Sequence, residues 1–340
     1  MSPIPPRGNR ALVSLVLLAA SFAVLLGGAL LFTNGVEWLG HRLGLGEGAV
    51  GSLLAAVATA LPESIIPVVA IVSGGQASDV AVGAIVGAPF MLATIAMALV
   101  GISAIAFRGR RPQRGAIDAD TLTLARDLRF FLLFFAGGLL LGLGAPRSVQ
   151  IPAAILFVVA YGVYVRATLR GGSPVQEAET LKPLFLPIGR EDPRLPAIVL
   201  QLVVALGAIV GGAHLFVHEL IEVAEYVGVE PLILSLVLAP LATELPEKAN
   251  SFIWMREGKD SLALGNITGA MVFQSTLPVA LGLGFTSWSL TGPSVVAIIA
   301  GLLGGAVAVW ALMTRRRFEL PAIAVWLLLY SSFVVYVAAL

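Results

Sequence analysis

The chain has no cysteine and few charged residues. Without cysteine among its 340 residues, it can form no disulfide bond and no thiolate metal site. Only 12% of the residues are charged and 58% are hydrophobic, and the mean hydropathy is +0.95. A soluble domain carries about 25% charged residues. The missing cysteines and the small number of histidines, three, also argue against a membrane enzyme. The composition therefore predicts an all-α polytopic membrane protein.

Ten apolar runs are long enough to cross a membrane. A hydrocarbon core of ~30 Å needs about 20 helical residues. The runs lie at 11–33, 49–73, 80–106, 127–146, 150–168, 195–217, 231–255, 261–285, 290–313 and 319–339. They predict ten transmembrane helices in two groups of five. The first run has too long an apolar core for a cleavable signal peptide, so we expect it to stay in the mature protein.

The two halves of the chain repeat one segment. GGALLFTNGVEWLGHRLGLGEGAVGSLLAAVATALPES, which begins at Gly27, returns as GGAHLFVHELIEVAEYVGVEPLILSLVLAPLATELPEK, which begins at Gly211. An odd number of spans per half turns the second copy upside down, which makes this an inverted repeat. That arrangement is expected to bring Glu63 and Glu247 towards the bilayer centre from opposite sides. The predicted parts are a first repeat at 1–168 with its motif at 58–92, a cytoplasmic linker at 169–194, and a second repeat at 195–340 with its motif at 242–276.

Basic residues mark one side of the membrane, because short cytoplasmic loops are enriched in arginine and lysine. If the loops alternate between sides, one side receives only Arg7, Arg10 and Arg147. The other side receives Arg42, Arg108, Arg110, Arg111, Arg114, Arg126, Arg129, Arg166, Arg170, Lys182, Arg190, Arg194, Arg256, Lys259, Arg315, Arg316 and Arg317. The sequence therefore predicts that both termini are extracellular or periplasmic. The short loops suit the inner membrane of a prokaryote.

Each copy of the repeat ends in a Pro-Glu pair inside an apolar run. A proline in a helix has no N–H and frees the carbonyl group four residues back. That carbonyl, a threonine hydroxyl and the carboxylate are oxygen donors of the kind that Ca²⁺ and Na⁺ take. The candidate donors are Ala58, Thr59 and Glu63 in the first copy, and Ala242, Thr243 and Glu247 in the second. The threonine and the glutamate of each copy are four residues apart, which predicts that they share one helix face.

A glycine-containing segment follows each glutamate. The first copy has Gly83 and Gly87, and the second has Gly265 and Gly269. Such small-xxx-small pairs let another helix or an unwound backbone approach closely. Beside the glutamates, they predict close approach at an ion site.

This arrangement resembles the sodium/calcium exchangers of the cation/Ca²⁺ antiporter superfamily over essentially the whole chain. The family motif reads Gly-(Thr/Ser)-Ser-x-Pro-Glu, followed by Gly-Asn-x-x-Gly-Ser-Asn. The resemblance implies cation-coordinating roles for Thr59, Glu63, Thr243 and Glu247, with Ala58 and Ala242 as carbonyl donors and Asn266 at the family's asparagine. Two further candidates depart from the family: Glu244 replaces a serine, and Gln274 stands where exchangers carry Asn or Asp. In the first copy, the corresponding positions are Ala60 and Leu92.

Lys248 lies four residues after Glu244, so an ion pair between them is geometrically available on a helix. One interpretation is an internal pair that lets the extra glutamate enter the membrane at reduced cost. The other is that the ammonium group substitutes for a co-bound cation. The spacing leaves both open.

The resemblance implies a secondary active antiporter that exchanges Ca²⁺ for Na⁺ by alternating access, with Glu63 and Glu247 as the metal ligands. An H⁺-coupled divalent cation exchanger, an antiporter fold with an altered cation substrate, and one that has lost exchange remain alternatives, because a buried glutamate can also carry a proton. A channel or uniporter is a further alternative. We expect no catalytic residues and no cofactor besides the transported ions. The expected partners are these cations and the lipid bilayer, without nucleic acid or an obligatory protein.

Overall fold

The fold is given by a computed structural model, which describes residues 7–43, 63–110, 117–170, 182–186, 193–290 and 292–340. The described helices are α1 (Arg7–Arg42), α2 (Glu63–Ser73), α3 (Ala77–Met91), α4 (Met97–Ala106), α5 (Thr121–Gly142), α6 (Arg147–Arg170), α7 (Leu195–Val227), α8 (Pro231–Thr243), α9 (Leu245–Glu257), α10 (Asp260–Phe285), α11 (Gly292–Trp310) and α12 (Leu320–Ala338). Two single π-helical turns, Leu92–Ala96 and Ala311–Arg315, follow α3 and α11.

The all-α polytopic fold is confirmed. Within the described ranges, the helices fall into ten successive segments, one for each predicted span, because α3 continues into α4 and α8 into α9. Seven of the segments are long and apolar enough by themselves to cross a membrane. Hydropathy alone therefore located the segments, as expected where every backbone group must be paired inside a helix.

The helix α7 is longer than its predicted span of 195–217. It continues to Val227 and ends at Gly228, whose left-handed φ of 78° is typical of a helix C-terminus. Phe216, Leu220 and Ala224 recur at helical spacing and are completely buried. This apolar face extends the helix beyond the hydrophobic run, which a hydropathy window does not detect.

The chain divides into two compact units. Unit 1 comprises 1–77 and 162–231, and unit 2 comprises 78–161 and 232–340. Unit 1 thus holds α1, α2, the end of α6, and α7, whereas unit 2 holds the other helices. The repeat boundaries at 168 and 195 describe a different division of the chain, by sequence symmetry, and stay a prediction.

In unit 1, α1 and α7 pack against each other through residues that are equivalent in the two copies of the repeat. A Cβ atom on Gly28 would lie 2.9 Å from the Ile209 side chain, and one on Gly212 would lie 3.1 Å from the Leu25 side chain. Gly28 and Gly212 are equivalent in the repeat, and Leu25 and Ile209 have the same spacing. The contact between Gly28 and Ile209 is therefore equivalent, under the repeat, to the contact between Gly212 and Leu25. Such reciprocity is the signature of a two-fold relation between equivalent segments.

Part of the linker is anchored to α1 in unit 1. The carbonyl group of Lys182 accepts hydrogen bonds from Asn34 Nδ2 at 3.3 Å and from Trp38 Nε1 at 2.9 Å. Leu184 is completely buried in an apolar cluster with Trp38 and Ile198. The sequence predicts a linker at 169–194, and the buried Leu184 shows that its residues 182–186 pack as part of unit 1.

In unit 2, hydrogen bonds join loops that the predicted alternating topology places on the same side of the membrane. At one end, the Asp118 N–H donates to Asp260 at 3.1 Å and the Ile117 N–H donates to the Arg316 carbonyl at 2.9 Å. At the other end, the Arg147 guanidinium group donates to carbonyl groups at the C-terminus of α10. A cation at a helix C-terminus neutralises the partial charge of its free carbonyls. Arg147 thereby fixes one end of α10, the helix that carries two candidate site residues.

Candidate cation site

The second Pro-Glu motif lies at a break between two helices. The helix α8 ends at Thr243, α9 begins at Leu245, and Glu244 between them has φ −97° and ψ 4°. Pro246 has no N–H, so the carbonyl group of Ala242 loses its helical donor, as the sequence predicts. Glu244 interrupts the helix between Thr243 and Glu247, so the expectation that these two residues share one helix face stays a prediction. Irregular backbone inside a membrane is tolerated where it is buried in protein or lines a polar site, and this break lies beside the buried carboxylates of Glu244 and Glu247.

Glu247 is buried directly after this break. Its side chain is on the first turn of α9 and only 4% of the residue is exposed. Among the described residues, its Oε2 atom has no hydrogen-bond partner. Burying a carboxylate without a partner is costly, so this oxygen requires a cation or a proton. Glu247 Oε2 is therefore a candidate ligand atom for a cation.

Asn266 on α10 holds the backbone beside Glu247. Its Nδ2 atom donates to the Glu247 carbonyl group and to Ser251 Oγ, each at 3.2 Å. Ser251 in turn donates to the Ala263 carbonyl at 3.1 Å. Because the amide nitrogen makes both bonds, the Oδ1 atom of Asn266 keeps its capacity to accept. The sequence-predicted neighbours Glu247 and Asn266 are therefore brought together.

Glu244 and Lys248 form the ion pair that their spacing allows. Lys248 Nζ lies 2.6 Å from Glu244 Oε2, with side-chain exposures of 11% and 0%. The second carboxylate oxygen, Oε1, is buried and has no hydrogen-bond partner among the described residues. The side chain of Gln274 faces the same carboxyl group. Glu247 lies close enough for the charges of Glu244 and Lys248 to act on it.

Thr243 is buried at the end of α8. Its hydroxyl group donates to the Ala239 carbonyl at 3.2 Å. A hydroxyl that donates once still has lone pairs that can accept. The Thr243 hydroxyl group and the Ala242 carbonyl group therefore place two oxygen atoms at the C-terminus of α8, beside the break in unit 2.

Glu63 belongs to unit 1. It lies at the start of the described part of α2, and only 8% of the residue is exposed. A buried glutamate in an apolar helix fits the prediction of a functional group at membrane depth. The candidates Ala58 and Thr59 lie outside the described residues.

The close approach predicted for the glycine segments is found in the first copy. A Cβ atom on Gly83 would lie 2.5 Å from the Leu232 carbonyl oxygen, and one on Gly87 would collide with the Leu236 carbonyl group. The helix α3 therefore packs directly on the backbone of α8, the helix that leads to the break. At Gly269, in contrast, no described atom lies within 4 Å of a Cβ position.

Two polar neighbours of the site were not found from the sequence. Ser251 is one helical turn after Glu247 on α9, so its spacing was an available signal. Tyr330 on α12 lies within electrostatic range of Glu244, and no motif around it indicates this. Another buried carboxyl group, Asp127, pairs with Arg126 at 3.0 Å and accepts a hydrogen bond from Thr268 at 3.1 Å. These partners give Asp127 a structural role in joining α5 to α10.

Comparison with known proteins identifies the family. The sequence pattern of the family described as sodium/calcium exchanger protein matches residues 13–170 and 197–339. The chain belongs to the sodium/calcium exchanger protein family. The resemblance stated from the two motifs is thereby confirmed. Members of this family are secondary transporters of the membrane and not enzymes.

Relatives and solved structures cover most of the chain. The inner membrane protein YrbG of Escherichia coli strain K12 is 26% identical over 294 residues, which are 86% of this chain and 85% of YrbG. The H⁺/Ca²⁺ exchanger CAX is 19% identical, with a TM-score of 0.73 over 94% of this chain and 82% of CAX. The sodium-calcium exchanger NCX_Mj is 18% identical, with a TM-score of 0.58 over 96% of this chain and 99% of NCX_Mj. At these identities, the two structures show a shared fold, the ten-helix exchanger architecture.

Proposed function

We propose that this member of the cation exchanger family exchanges Ca²⁺ for Na⁺ by alternating access. The observation that carries the proposal is the pair of buried carboxylates at the α8–α9 break, whose oxygens Glu244 Oε1 and Glu247 Oε2 have no partner among the described residues. Carboxylate, hydroxyl and carbonyl oxygens are the ligands of Ca²⁺. A buried carboxylate site left empty would carry uncompensated charge. Crossing the closed state without a cation is therefore disfavoured, and this couples the two fluxes.

The proposed ligands follow from the repeat and from the site in unit 2. Glu63 and Glu247 supply the two principal carboxylates, one from each copy of the repeat. Thr59 and Thr243 add hydroxyl oxygens, and Ala58 and Ala242 add carbonyl oxygens freed by the prolines. Asn266, Gln274 and Glu244 complete the proposed set in the second copy. Because Na⁺ and Ca²⁺ both neutralise the carboxylates, they compete for these ligands.

The fold is shared with an H⁺/Ca²⁺ exchanger and with a sodium-calcium exchanger, so proton coupling is the second candidate. We favour Na⁺ because the proposed ligand set holds several neutral oxygens, which a Na⁺ ion uses and a proton does not. We also propose that the protein works in a prokaryotic inner membrane with both termini outside. In this proposal it needs no cofactor and no protein partner.

The test is uptake of radioactive Ca²⁺ into proteoliposomes that contain the purified protein. One set is loaded with Na⁺ and diluted into Na⁺-free medium, and a second set has only a pH gradient. We expect uptake in the first set and none in the second. Uptake driven by the pH gradient alone would replace Na⁺ by H⁺ as the counter-ion. No uptake in either set, from folded protein, would contradict Ca²⁺ exchange and would direct the assay to other cations.

A further inference from the structure

The Glu244–Lys248 pair brings a fixed positive charge into the site of the proposed exchanger. Glu244 and Lys248 both lie at the α8–α9 break, and Glu247 is near enough for their charges to act on it. Two carboxylates and one ammonium group leave one net negative charge when all three are ionised. Without the lysine, unit 2 would place two buried negative charges at this break, and like charges at short range in an apolar medium repel strongly.

The geometry places the positive charge of Lys248 inside the candidate cation site. Its Nζ atom lies 2.6 Å from Glu244 Oε2, the distance of a short, charge-assisted hydrogen bond, and its side chain is only 11% exposed. The ammonium group thus occupies the position that a cation bound to this carboxylate would take. Gln274, a candidate cation ligand, faces the same carboxyl group. The pair is therefore part of the ligand cluster.

We propose that Lys248 is a tethered cation that is not transported. Its ammonium group neutralises the charge of the Glu244 carboxylate throughout the cycle, so that no mobile ion is needed to neutralise this charge, while Glu244 Oε1 stays available as a ligand. The protein consequently binds one monovalent cation fewer than the same site would bind without the lysine. This inference deepens the proposed function and rests on it, because it concerns the number of ions at the same site.

The test counts Na⁺ ions bound to the purified full-length protein, by equilibrium dialysis against radioactive Na⁺ in the absence of Ca²⁺. In the variant Lys248→Gln, the amide group keeps a hydrogen-bond donor towards Glu244 but carries no charge. We expect this variant to bind one more Na⁺ per protein than the wild type. Its thermal unfolding midpoint should fall relative to wild type in choline chloride and recover in NaCl.

A matched variant serves as the control. Lys248→Arg keeps the positive charge and should bind as many Na⁺ ions as the wild type. An equal Na⁺ count in Lys248→Gln and wild type would overturn the proposal and leave Lys248 as a purely structural partner. The proposal would also be overturned if Lys248→Gln failed to fold in NaCl while Lys248→Arg folded, because Na⁺ would then not replace the lost charge.

This count is a difference between two proteins measured without Ca²⁺, so it does not depend on whether the wild type exchanges Ca²⁺ for Na⁺. Failure of the proposed function would instead be seen in the uptake assay with wild-type protein. The two failures are thus distinguishable.

Discussion

At the scale of single residues, the site depends on carboxylates that are buried without full hydrogen bonding. The i,i+4 spacing of Glu244 and Lys248 was readable from the sequence, because the contact is local and a helix fixes it. The family motif implied that Asn266 belongs to the site, but its hydrogen bond to the Glu247 carbonyl group was not predicted. The approach of Tyr330 to Glu244 was not predictable, because α12 and the α8–α9 break are far apart in the chain and meet only through tertiary packing.

We predict that Glu247→Gln lowers the affinity for Ca²⁺ by at least about tenfold, since loss of one charged ligand at a buried site costs more than ~1.4 kcal/mol. The amide is nearly the same size, so the fold should be kept. Isothermal titration of purified protein with Ca²⁺ measures the effect. Glu257→Gln is the control, because Glu257 ends the same helix and is exposed. Equal Ca²⁺ affinity in Glu247→Gln and Glu257→Gln would contradict a ligand role for Glu247.

At the scale of helices, hydropathy predicted the ten segments, but not where each helix ends or bends. The extension of α7 depends on its apolar face, and the bend at Glu244 depends on Pro246 together with the packing of neighbouring helices. The glycine pair of the first copy was correctly predicted to allow close approach. Which helix approaches it, α8, could not be read from the sequence, because a glycine pair indicates close packing without naming the partner.

We predict that Gly87→Ala destabilises the protein by about 1–3 kcal/mol, the usual cost of overpacking. The added methyl group meets the Leu236 backbone carbonyl, which cannot move without shifting α8. Gly269→Ala, at the equivalent position of the second copy, meets no described atom within 4 Å and is the matched control. Thermal unfolding of the purified proteins compares them. A larger loss in Gly269→Ala than in Gly87→Ala would show that the α3–α8 contact is not the tight one.

The N-terminus of α5 gives a prediction about pH. Asp120 caps this helix by accepting hydrogen bonds from the N–H groups of Leu122 at 3.1 Å and Thr123 at 3.3 Å. The Thr123 hydroxyl also donates to its carboxylate, and this bond, followed by the two backbone bonds, lowers the pKa of Asp120 below its ordinary value of 3.8. Because the folded state lowers this pKa, the stabilisation is present above pH 3.8 and is lost as the pH falls through the lower, folded value.

We therefore expect Asp120→Ala to cost about 1 kcal/mol at neutral pH, as for other N-cap residues. Asp120→Asn keeps a capping acceptor without a titrating group, so its thermal unfolding midpoint should lose less on acidification than that of the wild type. The measurement is the unfolding midpoint of the three proteins between neutral pH and about pH 3. If Asp120→Asn and wild type lost stability in parallel, the Asp120 cap would not be the group that titrates.

At the scale of the whole molecule, the inverted repeat links sequence to function. The sequence showed the repeat directly, and the reciprocal contacts of Gly28 and Gly212 in unit 1 confirm that equivalent residues are used equivalently. The division into two units was not predicted, because it follows contacts between helices and not the order of the chain. Each unit carries one glutamate of the repeated motif, Glu63 in unit 1 and Glu247 in unit 2.

We propose that transport requires one carboxylate from each copy of the repeat. The most direct test is Na⁺-driven uptake of radioactive Ca²⁺ into proteoliposomes by wild type, Glu63→Gln, Glu247→Gln and the control Glu257→Gln, at equal amounts of folded protein. We predict uptake by the wild type and the control, and loss of uptake in both Glu63→Gln and Glu247→Gln. Uptake at the wild-type rate in either of these two variants would show that the repeated Pro-Glu carboxylates are not the transport site.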